Sequence, residues 1–346
     1  MSRSIWLLSA YRSQSHAAWA DWLTETFSEF NWHKLELPGR HFRWRIRGNP
    51  LSWLNQLPAD QPDLILASSM VDLATLRGLH PRLAHIPSLY YFHENQFDYP
   101  RSQQQHDSVD PQMVQLYGAL AADLLLFNSA WNRNSFIQGV QNLLNRLPDQ
   151  VPAGIAEQLN HKSRILPVAI QPVATRAGKN PALILWNHRW EYDKAPEVFA
   201  KALLLLEQKK IDFQLALLGE RSLKPPAALL QIEEKLAHRI TINGHLSKQH
   251  YRQYLSQSAI VVSTAIHEFQ GLSIMEAVSG GAVPLVPDAL CYTEQFAELY
   301  RYPWQQSEAL ANKLYEFLKH LPPAPDISGW YSENLQSPWR DCLLNT

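Results

Sequence analysis

The stretch Ser263 to Pro287, STAIHEFQGLSIMEAVSGGAVPLVP, decides the fold of this chain. It begins in a β-branched apolar run, Ile260 to Thr264, of the kind a strand buried on both faces needs, and the run stops at small and polar residues where the chain must turn. A loop carrying Glu268 follows. Gln270 and Gly271 then lead into Leu272 to Ser279, whose apolar residues at 272, 275 and 278, with Ile274, predict a short helix with one buried face. Gly280 and Gly281 suit its C-terminal end. Val283 to Val286 reads as a second buried strand. A helix that begins just after a strand ends turns its free backbone N–H groups and positive dipole end, here at Gly271 to Ser273, toward the strand tips, which makes an anion site.

Two carboxylates, Glu268 and Glu276, flank that site and would repel a bare phosphate. They make sense if the ligand also carries vicinal hydroxyls, as a sugar nucleotide does. An isolated pair at this spacing reads more simply as a loop residue and a solvated helix residue, so the surrounding chain has to decide.

On either side the same alternation continues. Upstream, strands are predicted at Leu183 to Asn187, Phe213 to Leu218 and Ile240 to Ile242, with helices near Pro196 to Gln208, Pro226 to Ala237 and His250 to Ser258; downstream a helix spans Glu308 to His320. Nearer the amino terminus, strands read at Ile5 to Ala10, His33 to Leu37, Asp63 to Ala67, Ser88 to Phe92, Leu124 to Asn128 and Arg164 to Val168. A helix from His16 to about Phe30 and helical stretches around Leu51, Val71, Met113 and Trp131 lie between them. Strands alternating with helices imply parallel sheets covered on both faces. Gln171 to Pro181, QPVATRAGKNP, breaks the periodicity. The expected organisation is an α/β domain over 1–172, a second over 180–324 and an aromatic tail over 325–346 after Pro322, Pro323 and Pro325.

At 346 residues, with 46% hydrophobic and 18% charged residues, the chain is globular and long enough for about two cores. A net charge of −1 provides no global field for nucleic acid or an anionic membrane, so such a partner would need a local patch. Cys291 and Cys342 form no disulfide framework. The apolar run Ile5 to Ala10 is too short for a signal or membrane segment, so a cytoplasmic protein is expected.

The strand Leu183 to Asn187 ends in NHRWEYDK, which puts Asn187, His188, Arg189 and Lys194 at its C-terminal tip, where open α/β sheets bind ligands. Two cations there suit a diphosphate, although alone they read as surface charges. In the first half, YYFHENQFDYP sets His93, Glu94 and Asn95 straight after a strand, and Ser129 reads as a helix N-cap. Arg40 to Gly48, RHFRWRIRG, alternates His41, Arg43, Arg45 and Arg47 with Phe42, Trp44 and Ile46 at period two. This predicts a basic strand face, either a charge-protected edge or a surface for an RNA backbone and an unstacked base. It would also suit an anionic membrane.

HEFQGLSIMEA, with seven residues between its glutamates, resembles the motif of family 4 retaining glycosyltransferases of GT-B architecture. That resemblance implies two facing Rossmann-like domains, with the first acting on the acceptor, the second binding a nucleotide sugar, and the carboxyl tail returning to the first. It implies catalytic roles for His93, Glu268, Arg189 and Lys194, the cations neutralising charge on the departing diphosphate. Glu268 would contact the hexose and Glu276 the ribose, with Gln270, Gly271, Leu272, Asn187 and His188 completing the donor site. Many members carry paired glycines in the first loop, where this chain reads YRSQSH. Without those glycines, contact there falls to the side chains of Ser15 or His16, with Ser15 as a cap the simpler reading.

Together with WNHRWEYDK, FHENQ, the FNS segment at 127 to 129 and the arginine and tryptophan stretch, the pattern looks like the tRNA-queuosine mannosyltransferase-like branch and covers nearly the whole chain. The resemblance implies mannose transfer from GDP-mannose to queuosine in a tRNA anticodon, with His16, Arg43, Trp44, Arg45, Arg47 and Asn95 toward the acceptor. There is no Asp-x-Asp pair, so metal-independent chemistry is expected. A lipid or polysaccharide acceptor, or a catalytically silent RNA-binding protein of the same fold, are the alternatives.

Overall fold

The computed structural model describes residues 2–99, 108–174, 178–221 and 224–346. The chain forms two compact units, Met1–Ala169 with Leu335–Thr346, and Ile170–Asn334. The change of unit therefore falls at 169/170, and the return falls at 335, ten residues later than the tail boundary read from the prolines. Residues up to Asn334 stay with the second unit because Ile170 and Tyr331 form a β-bridge, with Ile170 N–H donating to the Trp330 carbonyl at 2.8 Å and Ser332 N–H to the Ile170 carbonyl at 3.1 Å. Positions 175–177 of the predicted linker lie outside the described residues.

The first unit runs β1 (Ser4–Arg12), α1 (Gln14–Thr26), β2 (Asn31–Pro38), α2 (Phe42–Ser52), β3 (Leu64–Ser68), α3 (Leu73–Leu79), β4 (Ser88–Phe92), α4 (Asp110–Ala121), β5 (Leu124–Phe127), α5 (Ala130–Leu144), α6 (Ile155–His161) and β6 (Ser163–Ile165). Its strands form one parallel sheet in the order β2-β1-β3-β4-β5-β6. Ile5, Trp6, Leu7 and Leu8 of β1 are all buried, which agrees with an apolar run covered on both faces.

The second unit runs β7 (Asn180–Trp186), α7 (Pro196–Gln208), β8 (Gln214–Leu217), α8 (Ala227–Lys235), β9 (Ile240–Asn243), α9 (Lys248–Gln257), β10 (Ser258–Val262), α10 (Leu272–Ser279), β11 (Val283–Pro287), α11 (Tyr292–Gln295), β12 (Arg301–Tyr302) and α12 (Ser307–Lys319). Its parallel sheet has the order β12-β11-β10-β7-β8-β9. Strand order reverses between β7 and β10, so the C-terminal tips of these two strands bound the crevice where doubly wound sheets take ligands. Those tips are Asn187–His188 and Ser263–Thr264. The last helix, α13 (Ser332–Asn345), carries the chain back into the first unit, where Leu335, Trp339 and Leu343 are buried and Arg3 donates to the carbonyls of Leu343, Leu344 and Thr346.

The basic stretch Arg40 to Gly48 is not a strand: Phe42–Ser52 is helix α2. Because β2 pairs in parallel with β1 and the chain must cross to β3 on the other side of β1, the connection is a crossover, which calls for a helix whatever the local alternation. Ile46 is buried one turn after Phe42, and Asn49 donates to the carbonyls of Arg45, Ile46 and Met70 and accepts from Asp72 N–H, which ties α2 to the β3–α3 loop. The arginines therefore do not share one face. Arg45 bonds back to the Pro38 carbonyl at 3.2 Å, whereas Arg47 pairs with Asp72, itself 1% exposed. The first helix also begins earlier than expected, at Gln14. Ser13 holds its N-cap position without a side-chain cap, and Ser15 lies inside the helix, so the capping role read for Ser15 is corrected. Ser129 does cap α5, accepting from Asn132 N–H at 3.0 Å.

Candidate active site

In the second unit the strand tips assemble one connected polar cluster. After β7 the chain turns through Asn187 and His188, makes a single helical turn at Tyr192–Lys194, and buries Asp193 and Lys194. The turn is pinned to the β10 tip by Thr264, whose hydroxyl donates to the carbonyls of Lys194 and Ala195 at 2.6 and 3.0 Å, and by Ile266 N–H donating to the Asp193 carbonyl at 2.9 Å. Gly219, at the end of β8, is needed here because a Cβ would lie 1.7 Å from the His188 carbonyl oxygen.

Lys194 Nζ donates to the His267 carbonyl at 2.9 Å and pairs with Asp193 at 3.0 Å and Glu268 at 3.2 Å. These are all three donors of an ammonium group, so Lys194 is fully engaged within its own unit. Burial opposes its charge, yet the two carboxylates raise its pKa. Glu268 shows the complement. Burial would raise its carboxyl, but Lys194, His188 and the Gly271 N–H hold it down at about 2. Glu268 also accepts from Phe269 N–H at 3.1 Å. The side chain is 20% exposed, so an ionised, oriented carboxylate still reaches solvent.

Gly271 sits in the left-handed region at φ 66°, and a Cβ there would come within 2.9 Å of the Tyr292 ring. Two demands thus coincide on glycine, a positive φ and a close approach. Gln270 is buried and its carbonyl accepts from Gln295 at 2.8 Å, while Leu272 opens α10 half-buried. His188 Nε2 lies 2.9 Å from Ser263 Oγ, which accepts from Tyr292 O–H at 2.9 Å; the other His188 nitrogen faces Ser273 Oγ at 3.4 Å. A serine hydroxyl has one proton. Ser263 Oγ accepts from Tyr292 O–H and, at 3.3 Å, from Ala265 N–H, which fills both lone pairs, so its own proton goes to His188 Nε2 and the His188 proton is left on Nδ1, toward the start of α10. Burial lowers the His188 pKa to about 4, so the ring is neutral.

Asn187 Nδ2 donates to the Ser273 carbonyl at 2.7 Å and to Tyr251 at 3.2 Å, and Tyr251 in turn donates to Glu276 at 3.1 Å. Burial raises the Glu276 carboxyl, with Tyr251 working the other way. Among the described residues, Asn187 Oδ1 and Asp193 Oδ1 are buried acceptors with no hydrogen-bond partner. Arg189 is half-exposed and pairs with Glu191 at 3.2 Å. Asp193, Ser263 and Ser273 lie in the quoted runs, whereas Tyr251 on α9 and Tyr292 on α11 are the members that sequence reading missed; only the folded sheet brings these two to Glu276 and Ser263.

In the first unit His93 follows β4. Its ring stacks on His16 at 4.1 Å and meets the edges of Trp19 and Tyr91 at 4.7 Å each. Trp339 of α13 packs behind at 5.2 Å from Tyr91 and donates to the Pro167 carbonyl at 3.1 Å. Burial lowers both histidines, His16 to about 4 and His93 well below the usual value with His16 adding to the effect, so both are neutral. Among the described residues, His93 Nε2 is buried with no hydrogen-bond partner. Asn95 is fully buried, donating to Asn132 and Ser135 and accepting from the N–H groups of Phe97 and Asp98. That interior position corrects its reading as an acceptor contact. The first loop, which lacks glycine, is instead approached by Gly39 after β2, where a Cβ would lie 2.6 Å from the Arg12 carbonyl oxygen.

Residues 4–170 match the family model described as tRNA-queuosine alpha-mannosyltransferase N-terminal, and residues 169–324 the one described as glycosyl transferases group 1. The chain is 33% identical over 329 residues to a Drosophila melanogaster tRNA-queuosine alpha-mannosyltransferase, covering 91% of this chain and 87% of that one. Among solved structures, the sucrose-phosphate synthase of Thermosynechococcus elongatus has a TM-score of 0.72 at 13% identity with full coverage of both chains. Anabaena HepE in complex with UDP and glucose has a TM-score of 0.69 at 14% identity, again with full coverage of both. These two likenesses show the fold alone.

Proposed function

The chain belongs to the tRNA-queuosine alpha-mannosyltransferase family of GT-B glycosyltransferases, and on that premise we propose that it transfers mannose, with retention, from GDP-mannose to queuosine in a tRNA anticodon. The observation that carries the donor side is the Lys194–Glu268–Gly271 cluster at the reversal of strand order, next to the start of α10. Glu268, held ionised, accepts from hydroxyls of the hexose, and Glu276, aligned by Tyr251, accepts from the ribose. The unfilled acceptors Asn187 Oδ1 and Asp193 Oδ1 are suited to a ligand rich in hydroxyl donors.

As the bond from the anomeric carbon to the diphosphate breaks, the sugar becomes oxocarbenium-like and negative charge grows on phosphate oxygen. Arg189, the exposed cation, and the amides at the start of α10 meet that charge. Lys194, with its three donors already engaged, acts through its field and by holding Glu268. The His188 Nδ1–H adds a neutral donor beside Ser273. His93, held neutral by burial, is the first unit's group for a hydrogen bond to the acceptor. In the retaining reading the acceptor hydroxyl attacks the face that the leaving group vacates and gives its proton to the departing phosphate oxygen.

Among the described residues no helix is long and apolar enough to cross a membrane. Incubation with queuosine-containing tRNA and a panel of labelled sugar nucleotides, followed by nucleoside mass spectrometry, tests the proposal. A hexose increment on queuosine from GDP-mannose is expected. No transfer to tRNA from any donor, with label entering a lipid acceptor, would overturn it.

A further inference from the structure

The basic stretch that reads as a strand face becomes, once folded as α2, a different surface. Trp44 is 50% exposed, and its ring lies flat on Gly48 one turn on, so closely that a Cβ at Gly48 would fall 2.6 Å from ring atoms. One face of the indole is thus backed by the helix and the other is open to solvent. Arg43 precedes it and is exposed; Arg40 lies just before the helix, also exposed; Arg45 and Arg47 follow, held by the Pro38 carbonyl and by Asp72. Between Glu36 and Asp60 the chain contains no acidic residue. Arginines in the first turn oppose the helix dipole, so local stability does not account for them. Ile46, on the opposite side, already supplies the anchor to the core, so packing does not require an exposed indole either. The start of α2 lies at the C-terminal rim of the sheet, the rim from which His93 follows β4 and Asn128 follows β5.

We propose that this face of α2 is a docking surface for looped RNA, with Trp44, seated on Gly48, stacking an unpaired base and Arg40 and Arg43 holding the adjoining phosphates. The inference rests on the reading of a tRNA acceptor and adds where in the first unit that acceptor is gripped. A ring fixed on one face and open on the other is what base stacking uses, and every base offers a π face. The cations beside it supply the sequence-independent, salt-sensitive part of binding. An anionic lipid surface would use the arginines but has no need for a ring held rigidly against a glycine.

The two contributions separate by substitution. Gly48→Ala improves helix propensity and removes no charge, but its methyl group displaces the Trp44 ring. Tm should hold or rise while tRNA affinity falls about tenfold at every salt concentration, the lower end of the range for one stacked base, and the slope of log K against log salt stays as in wild type. Arg43→Ala should make that slope shallower by roughly 0.7 to 0.9, the share of one phosphate contact. Fluorescence anisotropy with labelled queuosine-containing tRNA between low and moderate salt reads both. Wild-type transfer to tRNA combined with unchanged affinity in Gly48→Ala and unchanged slope in Arg43→Ala would overturn this inference alone. Failure of the wild-type protein to bind tRNA would overturn it together with the reading it rests on. Loss of sedimentation with phosphatidylserine vesicles in Arg43→Ala, with tRNA binding intact, would assign the surface to membrane and overturn it too.

Discussion

Replacing Lys194 by Met keeps most of the side-chain stem and removes only the ammonium, so its effect isolates the charge at the heart of the second unit. Asp193 is 4% and Glu268 20% exposed, and both would be left without their cation. Breaking a buried ion pair from one side costs about 3–5 kcal/mol. The pKa of Glu268 gives a separate figure: the difference between an ordinary glutamate at 4.5 and about 2 corresponds to about 3 kcal/mol of preference for the ionised form. Burial pulls the other way, so charges and hydrogen bonds supply all of that depression, and Lys194 is the largest of them. For a unit of this size, 3 kcal/mol corresponds to a fall in Tm of roughly 6–12 °C. The pH dependence has a definite sign. A depressed carboxyl contributes its stability above the unfolded value and loses it as pH falls through the folded one, so about a quarter of the contribution is gone at pH 4 and more than half at pH 3. Thermal unfolding followed by circular dichroism at pH 7 and pH 4 should therefore show a large gap between wild type and Lys194→Met that narrows on acidification. A shift below about 2 °C at pH 7, or a gap that widens as pH falls, would refute the reasoning.

Other substitutions probe the rest of the cluster. Glu276→Ala should weaken donor binding by about 1.5–3 kcal/mol, the range for a hydrogen bond to a charged group; calorimetry with GDP-mannose reads it, and unchanged affinity removes the ribose role. Because burial raises the Glu276 carboxyl, wild-type donor affinity should also decline as pH falls through that raised value, and Glu276→Ala should lose this dependence. Arg189→Ala should lower kcat more than it raises KM, since its contact strengthens as charge develops on the leaving group; a pure KM effect contradicts that role. Gly219→Ala would set a Cβ 1.7 Å from the His188 carbonyl oxygen, and overpacking of about 1–3 kcal/mol or more should appear as a lowered Tm together with weaker donor binding; a neutral result would mean that the β7 and β8 tips yield easily.

Much of this site can be read from the sequence because its residues lie in short runs that a strand, turn and helix place together. Glu268, Gly271 and Glu276 belong to one such run and Asn187 to Lys194 to another, and β10 pairs directly with β7. Residues that join the cluster singly give no such signal. Tyr251 stands on α9 and Tyr292 on α11, and only the folded sheet shows them bonded to Glu276 and Ser263. The opposite failure occurs at Arg40 to Gly48, where a clean period-two alternation belongs to a helix because the β2-to-β3 crossover overrides local pattern. Sequence likewise shows no glycine in the first loop, whereas Gly39, twenty-seven residues beyond Arg12 and brought alongside by the β1–β2 pairing, takes that place.

Amide hydrogen exchange with and without GDP-mannose tests whether the β7 and β10 tips and the start of α10 form one donor site. Protection confined to residues 187–194 and 264–276, with the amides of Gly271 to Ser273 among those slowed, is the predicted result. Protection elsewhere in the chain, with those segments exchanging as in the free protein, would contradict it.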